Sequence, residues 1–205
     1  MTALRDVARA ARDYLDWKRR GETGPPPHFV KQRTLRRYAE QHGLRTLIET
    51  GTYLGDMVAA MRPHFDRVVS IELSPELARR AAARFAGDPR VTILEGDSGA
   101  VLPRVLASLD RPALFWLDGH YSGGFTARGA EDTPVMQELA AVLAHPVAGH
   151  VVLVDDARCF DGANGYPTIE ALRALVAAKR PDWEFSVRHD SIRMSPRGAA
   201  ATIEK

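Results

Sequence analysis

The chain has 205 residues, 45% apolar and 26% charged, which suits one packed core and excludes a disordered or fibrous chain. Lys and Arg number 28 against 26 Asp and Glu, a net charge of +2, so no global electrostatic pull toward nucleic acid or an anionic membrane exists. A single cysteine, Cys159, excludes an intrachain disulfide, no apolar run approaches the roughly 20 residues of a membrane helix, and the charged N-terminus lacks a signal core, so the expected location is cytoplasmic.

In chain order, residues 2–20 place Leu4, Val7, Ala8, Ala11 and Leu15 at helical spacing. The run GETGPPP at 21–27 breaks that helix. A second helix is predicted over 29–41, closed by His42-Gly43. Its basic run, Lys31, Arg33, Arg36 and Arg37, reads as a solvated face, although residues 28–32 also stand where they can fold over the edge at which the strands end. Residues 1–44 are thus an N-terminal helical extension or cap, acting as a lid or as a homodimer interface, and 45–205 are the main domain.

From Arg45 short apolar runs alternate with helical patterns. Strands are predicted over 46–49, 67–72, 91–95, 113–118 and 150–154, with helices over 56–62, 75–85, 101–106 and 134–143 between them. Continuous apolar strands separated by helices imply a parallel sheet covered on both faces, a doubly wound α/β domain. Thr133 is the expected cap of the helix that opens with Pro134. A helix over 168–178 precedes two β segments, 183–189 and 191–194, read as a closing antiparallel pair at one side of the sheet.

The first strand runs into Glu49-Thr50-Gly51-Thr52-Tyr53-Leu54-Gly55. Gly51 permits a sharp turn beneath a ligand and Gly55 a close helix–strand approach, while Tyr53 stands where a dinucleotide fingerprint has its middle glycine. The second strand ends in Glu72, about 20 residues on, where nucleotide-binding folds grip a ribose diol. The third ends Glu95-Gly96-Asp97-Ser98, where Asp97 either meets an adenine amino group or, like Ser98, caps the next helix. Three such features at consecutive strand ends resemble the class I S-adenosylmethionine-dependent methyltransferases, over roughly residues 45–194. The resemblance implies a Rossmann-like seven-stranded sheet, mostly parallel with the C-terminal antiparallel pair, and helices on both faces. It implies that Glu49 and Gly51 lie by the methionine moiety, Glu72 by the ribose, and Asp97 and Ser98 by adenine. Thr50, Tyr53, Gly55 and Asp118 complete the expected cofactor-binding set.

The fourth strand ends in Asp118-Gly119-His120 and the fifth in Asp155-Asp156. Adjacent strands would bring these acids together, and three such carboxylates need a neutralising cation or a raised pKa. Asp118 with Asp155 and Asp156 resembles the Mg²⁺ site of metal-dependent small-molecule O-methyltransferases of the catechol and macrolide-sugar types. There the metal would hold two substrate oxygens and acidify one. His120 is a candidate general base beside Asp118, and the glycine-rich stretch 121–133 a candidate lid. The expected function is S-adenosylmethionine-dependent methyl transfer, Mg²⁺-assisted, to a hydroxyl of a small metabolite such as a sugar or polyol. The alternatives are an RNA or protein methyltransferase, a nicotinamide-dependent oxidoreductase, and a cofactor-binding module without catalysis.

Overall fold

A computed structural model describes residues 2–119 and 133–198. Along the chain lie α1 (Thr2–Arg19), α2 (His28–His42), β1 (Thr46–Thr50), α3 (Asp56–Met61), β2 (Arg67–Glu72), α4 (Pro75–Phe85), β3 (Val91–Glu95), α5 (Ser98–Leu106), β4 (Leu114–Leu117), α6 (Val135–Ala144), β5 (Val151–Val154), α7 (Ile169–Lys179), β6 (Trp183–Arg188) and β7 (Ser191–Pro196). The strands form one sheet in the order β3-β2-β1-β4-β5-β7-β6. β1 to β5 are parallel, and β7 runs antiparallel to both β5 and β6. This is the expected doubly wound sheet with its closing pair.

Alternation along each strand splits the core in two. Ile48, Val69, Phe115, Leu117, Val152 and Val154 face α5, α6 and α7. Leu47, Val68, Leu114, Trp116, Val151 and Leu153 face α2 and α3. Both faces are covered, so β4 (Leu-Phe-Trp-Leu) and β5 (Val-Val-Leu-Val) are apolar throughout.

Local chemistry fixes the ends of the helices. Gly43 takes the left-handed conformation (φ 62°) after α2, and Leu44 N donates to Ala39 O at 2.8 Å, closing the helix just before β1. Ser74 caps α4 ahead of Pro75. Element ends shift from the sequence expectation, and at two helix starts the cap explains the shift. α5 opens at Ser98, not 101, because the Asp97 side chain caps it. α6 opens at Val135, and Pro134, at φ −80° and ψ 2°, takes the cap position expected for Thr133. The Thr133 hydroxyl still accepts the Val135 N–H, at 3.4 Å. At the N-terminus, Trp17 is buried and packs edge-on against His189 in the β6–β7 turn, centroids 5.1 Å apart. α2 packs against β4 and β5. Lys31, in its first turn, reaches Asp155 at the carboxyl edge of the sheet.

Candidate active site

The parallel strands all end on one edge, and chain direction across the sheet reverses between β1 and β4. A crevice at such a switch point is where ligands bind in open α/β sheets. The turn after β1 lies in it. Gly51 has φ 85°, and a Cβ placed there would stand 2.3 Å from the Asp118 carbonyl oxygen, so only glycine fits. Tyr53 holds a left-handed backbone (φ 48°) without being glycine, and its ring is exposed to solvent. The Tyr53 N–H donates to the Glu72 carboxylate at 2.7 Å, and the Ser74 N–H donates to the same group at 2.9 Å. Glu72 therefore ties the turn to the end of β2.

Glu49 lies beneath this turn, 2% exposed. It accepts a hydrogen bond from Ser70, whose hydroxyl is 2.5 Å from that of Thr52. Burial pushes its carboxyl up to about 8; the Ser70 bond pulls it back, and the Glu72 charge adds to the rise. Thr50 is fully buried, and its hydroxyl has no partner among the described residues. A Cβ placed on Gly119 would stand 3.0 Å from that hydroxyl and 3.4 Å from the Ser98 hydroxyl, so the ends of β1 and β4 and the start of α5 meet here. Asp97 spends one oxygen on the Gly99 N–H at 2.8 Å, capping α5. Gln137 of α6 reaches the same corner.

Asp118, Asp155 and Asp156 each lie within electrostatic reach of Lys31. Asp155 N donates to Leu117 O at 3.0 Å, which continues the β4–β5 ladder to the strand ends. The neutralising cation comes from α2. The Lys31 ammonium bonds to Asp155, which is 1% exposed, and stands 3.6 Å from Asp156. Arg158 holds Asp156 at 2.8 Å and also pairs with Asp190 in the β6–β7 turn. Burial alone would lower the Lys31 pKa, but Asp155, with Asp118 and Asp156, outweighs it and holds the ammonium above its ordinary value. Burial raises the Asp155 carboxyl, and Lys31 opposes this.

The expected Mg²⁺ site is not shown by the described residues. Among the described residues no three His, Cys, Asp or Glu side chains are grouped to hold a metal ion. Like charges about 4 Å apart repel by ~4 kcal/mol at an effective dielectric near 20, and one ammonium placed among the acids relieves this without a metal. Sequence reasoning missed Lys31 as a site residue. The available signal was its place in 28–32, the segment directed at the strand ends. His28, from the same turn of α2, also lies within electrostatic reach of Asp155. His120 and residues 121–132 lie outside the described residues, so the expected base and most of the lid do too.

No protein-family model matches the chain. A 70-residue stretch is 39% identical to ribosomal RNA small subunit methyltransferase A of Acidobacterium capsulatum, covering 34% of this chain and 24% of that protein. The whole fold is similar to three solved structures. The O-methyltransferase TomG of Streptomyces achromogenes, solved with S-adenosylmethionine, matches with a TM-score of 0.59 at 18% identity, over 93% of this chain and 88% of that one. An O-methyltransferase of Bacillus cereus, solved with S-adenosylhomocysteine, matches at 0.59 and 16% identity, over 91% and 89%. CalS10, an amino pentose methyltransferase of Micromonospora echinaspora, matches at 0.55 and 16% identity, over 89% and 96%. No helix among the described residues is long and apolar enough to cross a membrane. With its sheet order, its glycine turn at the switch point and these likenesses, the chain has the fold of the class I S-adenosylmethionine-dependent methyltransferases.

Proposed function

We propose that this protein transfers a methyl group from S-adenosylmethionine to a hydroxyl of a small metabolite, a sugar or polyol unit. The observation that carries this is the ordered set of Gly51, Glu72 and Asp97 at the carboxyl ends of β1, β2 and β3, beside the acids ending β4 and β5. The residues fit the cofactor. The backbone of residues 51–55 bends beneath the crevice, the Thr50 hydroxyl lacks a partner among the described residues, and each Glu72 oxygen keeps a lone pair beyond its bond to backbone N–H. Glu49 and Gly51 would hold the methionine end, Glu72 the ribose, and Asp97 and Ser98 the adenine.

When bound, the cofactor supplies a methyl group on a sulfonium; its C–S bond breaks with the electron pair staying on sulfur as the acceptor oxygen forms the C–O bond. The chain has to align that oxygen, exclude water and take its proton. The base is Asp118 or His120, and the relative losses in Asp118→Asn and His120→Ala assign it. The likeness of two neighbours described as O-methyltransferases and a third as an amino pentose methyltransferase supports a small acceptor. The short rRNA methyltransferase match favours RNA as a second reading.

The test is calorimetric titration with S-adenosylhomocysteine, with NAD as the control ligand, followed by labelled methyl transfer to hydroxylated sugars and to RNA. Binding that depends on Glu72 and transfer to a sugar are expected. Binding of NAD alone, or transfer to RNA alone with strong salt dependence, would replace this reading.

A further inference from the structure

We propose that Lys31 is the active-site cation: its ammonium stands among Asp118, Asp155 and Asp156 where a divalent ion would otherwise be required, and it holds the acceptor oxygen during methyl transfer. The second half of this statement rests on the methyl-transfer reading; the position of the cation does not.

The placement is fixed by packing. Lys31 belongs to the first turn of α2, and its neighbour Val30, with Leu35 and Ala39 further along, is buried. The helix cannot swing away without exposing these side chains. One ammonium N–H is spent on Asp155, while Asp156, at 3.6 Å, is an electrostatic partner beyond hydrogen-bond range. Among the described residues two N–H groups thus remain unspent, on a side chain that is 18% exposed, and they suit an incoming oxygen.

The other acid is engaged as well. Arg158 bonds Asp156 and is itself anchored by Asp190. A Mg²⁺ ion demands near-octahedral oxygen at 2.0–2.1 Å and keeps its waters. The oxygens it would use here already face an ammonium and a guanidinium. A compact ammonium on a flexible stem is a point charge well suited to a developing oxyanion. As the acceptor hydroxyl gives its proton to a base, its oxygen gains charge within reach of Lys31, which keeps its own protons. The oxygen pair would become the new C–O bond as the methyl's bond to sulfur breaks with its pair staying on sulfur, so the sulfonium's positive charge is replaced by that of the protonated base while Lys31 is unchanged.

The test needs no acceptor. Mg²⁺ is titrated by calorimetry into the wild-type chain, Asp155→Asn, Lys31→Ala and Lys31→Ala/Asp155→Asn. Lys31→Met, which keeps the aliphatic stem, runs in parallel. S-adenosylhomocysteine titration in excess chelator and a thermal melt accompany every protein. The expected result is no saturable Mg²⁺ binding to the wild type, binding gained in the folded Lys31 variants, and its loss when Asp155 is also changed. Saturable Mg²⁺ binding to the wild type that Asp155→Asn abolishes overturns the proposal. So does an absence of Mg²⁺ binding to every folded Lys31 variant. If S-adenosylhomocysteine fails to bind the wild type, the methyl-transfer reading falls, while the Mg²⁺ titrations still decide which cation the acids hold.

Discussion

Glu49 of β1 stands directly across the ladder from Ser70 of β2 and accepts its hydroxyl hydrogen bond, forming the floor of the turn that carries Gly51. Its carboxyl sits at about 8 when folded, against 4.5 as a free group, chiefly through burial. The folded state therefore binds more protons across that window, and stability falls as pH rises from 4.5 to 8. The full effect is at most ~5 kcal/mol. Glu49→Gln is expected to flatten this decline in melting temperatures taken from about pH 5 to 9. A cationic ligand group settling beside Glu49 favours the carboxylate, so S-adenosylmethionine binding at neutral pH is expected to release a proton. Calorimetry in buffers of different ionisation enthalpy reads that release directly.

Gly51→Ala places a methyl group 2.3 Å from the Asp118 carbonyl oxygen at a backbone φ of 85°. The left-handed conformation alone costs ~1–2 kcal/mol for an L-residue, and the clash adds to it by prising β1 from β4. A loss of about 3 kcal/mol or more is expected in denaturant unfolding, with S-adenosylhomocysteine binding abolished. An alanine variant with unchanged stability would mean that the turn is not held as described.

Glu72→Gln keeps an acceptor for only one of the Tyr53 and Ser74 N–H groups, which bond different carboxylate oxygens, and removes the charge; Glu72→Ala removes both acceptors and the charge. A hydrogen bond to a charged group is worth ~1.5–3 kcal/mol. S-adenosylhomocysteine affinity is expected to fall roughly 10- to 100-fold in the alanine variant and less in the glutamine one. Equal affinities in all three proteins would show that Glu72 only ties the turn and touches no ligand.

The parallel strands were readable because a strand buried on both faces is apolar at every position, as β4 and β5 are, and because the acids Glu72 and Asp118 stand where β2 and β4 end. Gly51 was readable because its conformation leaves little choice of residue. Lys31 was not. It lies 124 residues before Asp155, and nothing in a local pattern separates a lysine that pairs across the fold from the solvated Arg33 and Arg36 beside it. Asp97 was ambiguous for a different reason. Capping a helix and accepting an adenine amino proton call for the same short carboxylate at the same place, and the structure shows the cap. Tyr53 misled through side-chain identity. The backbone there is still left-handed, the conformation that the missing glycine would have signalled.

Asp97 can be divided between its two roles. Asp97→Ser retains a capping oxygen for the Gly99 N–H, whereas Asp97→Ala does not. The alanine variant is expected to lose about 1 kcal/mol of stability and the serine variant only a few tenths. If Asp97 also meets adenine, both variants weaken S-adenosylhomocysteine binding in calorimetry, despite their different stabilities. Affinity that simply tracks the melting temperature would leave the cap as the residue's whole role.

His150 supplies the opposite pH slope from the far end of the sheet, just before β5. It is 1% exposed, accepts the Ala113 N–H on Nδ1 at 3.0 Å, and directs Nε2 to His145 Nδ1 at 2.9 Å. The ring packs edge-on to Phe115. Burial, with His145 adding to it, lowers its pKa from 6.5 to about 4. The unfolded chain therefore takes up a proton that the folded one refuses, and stability falls as pH drops from 6.5 toward 4. The loss is about 1–3 kcal/mol. Between 4.5 and 6.5 this slope and that of Glu49 oppose each other, so the wild-type contributions largely cancel there. His150→Gln, whose amide oxygen can still accept the Ala113 N–H, is expected to unmask the decline due to Glu49. Glu49→Gln is expected to leave the rise due to His150. Melting temperatures of the two variants across that window should therefore diverge with opposite slopes, and parallel profiles would rule out this pairing of buried groups.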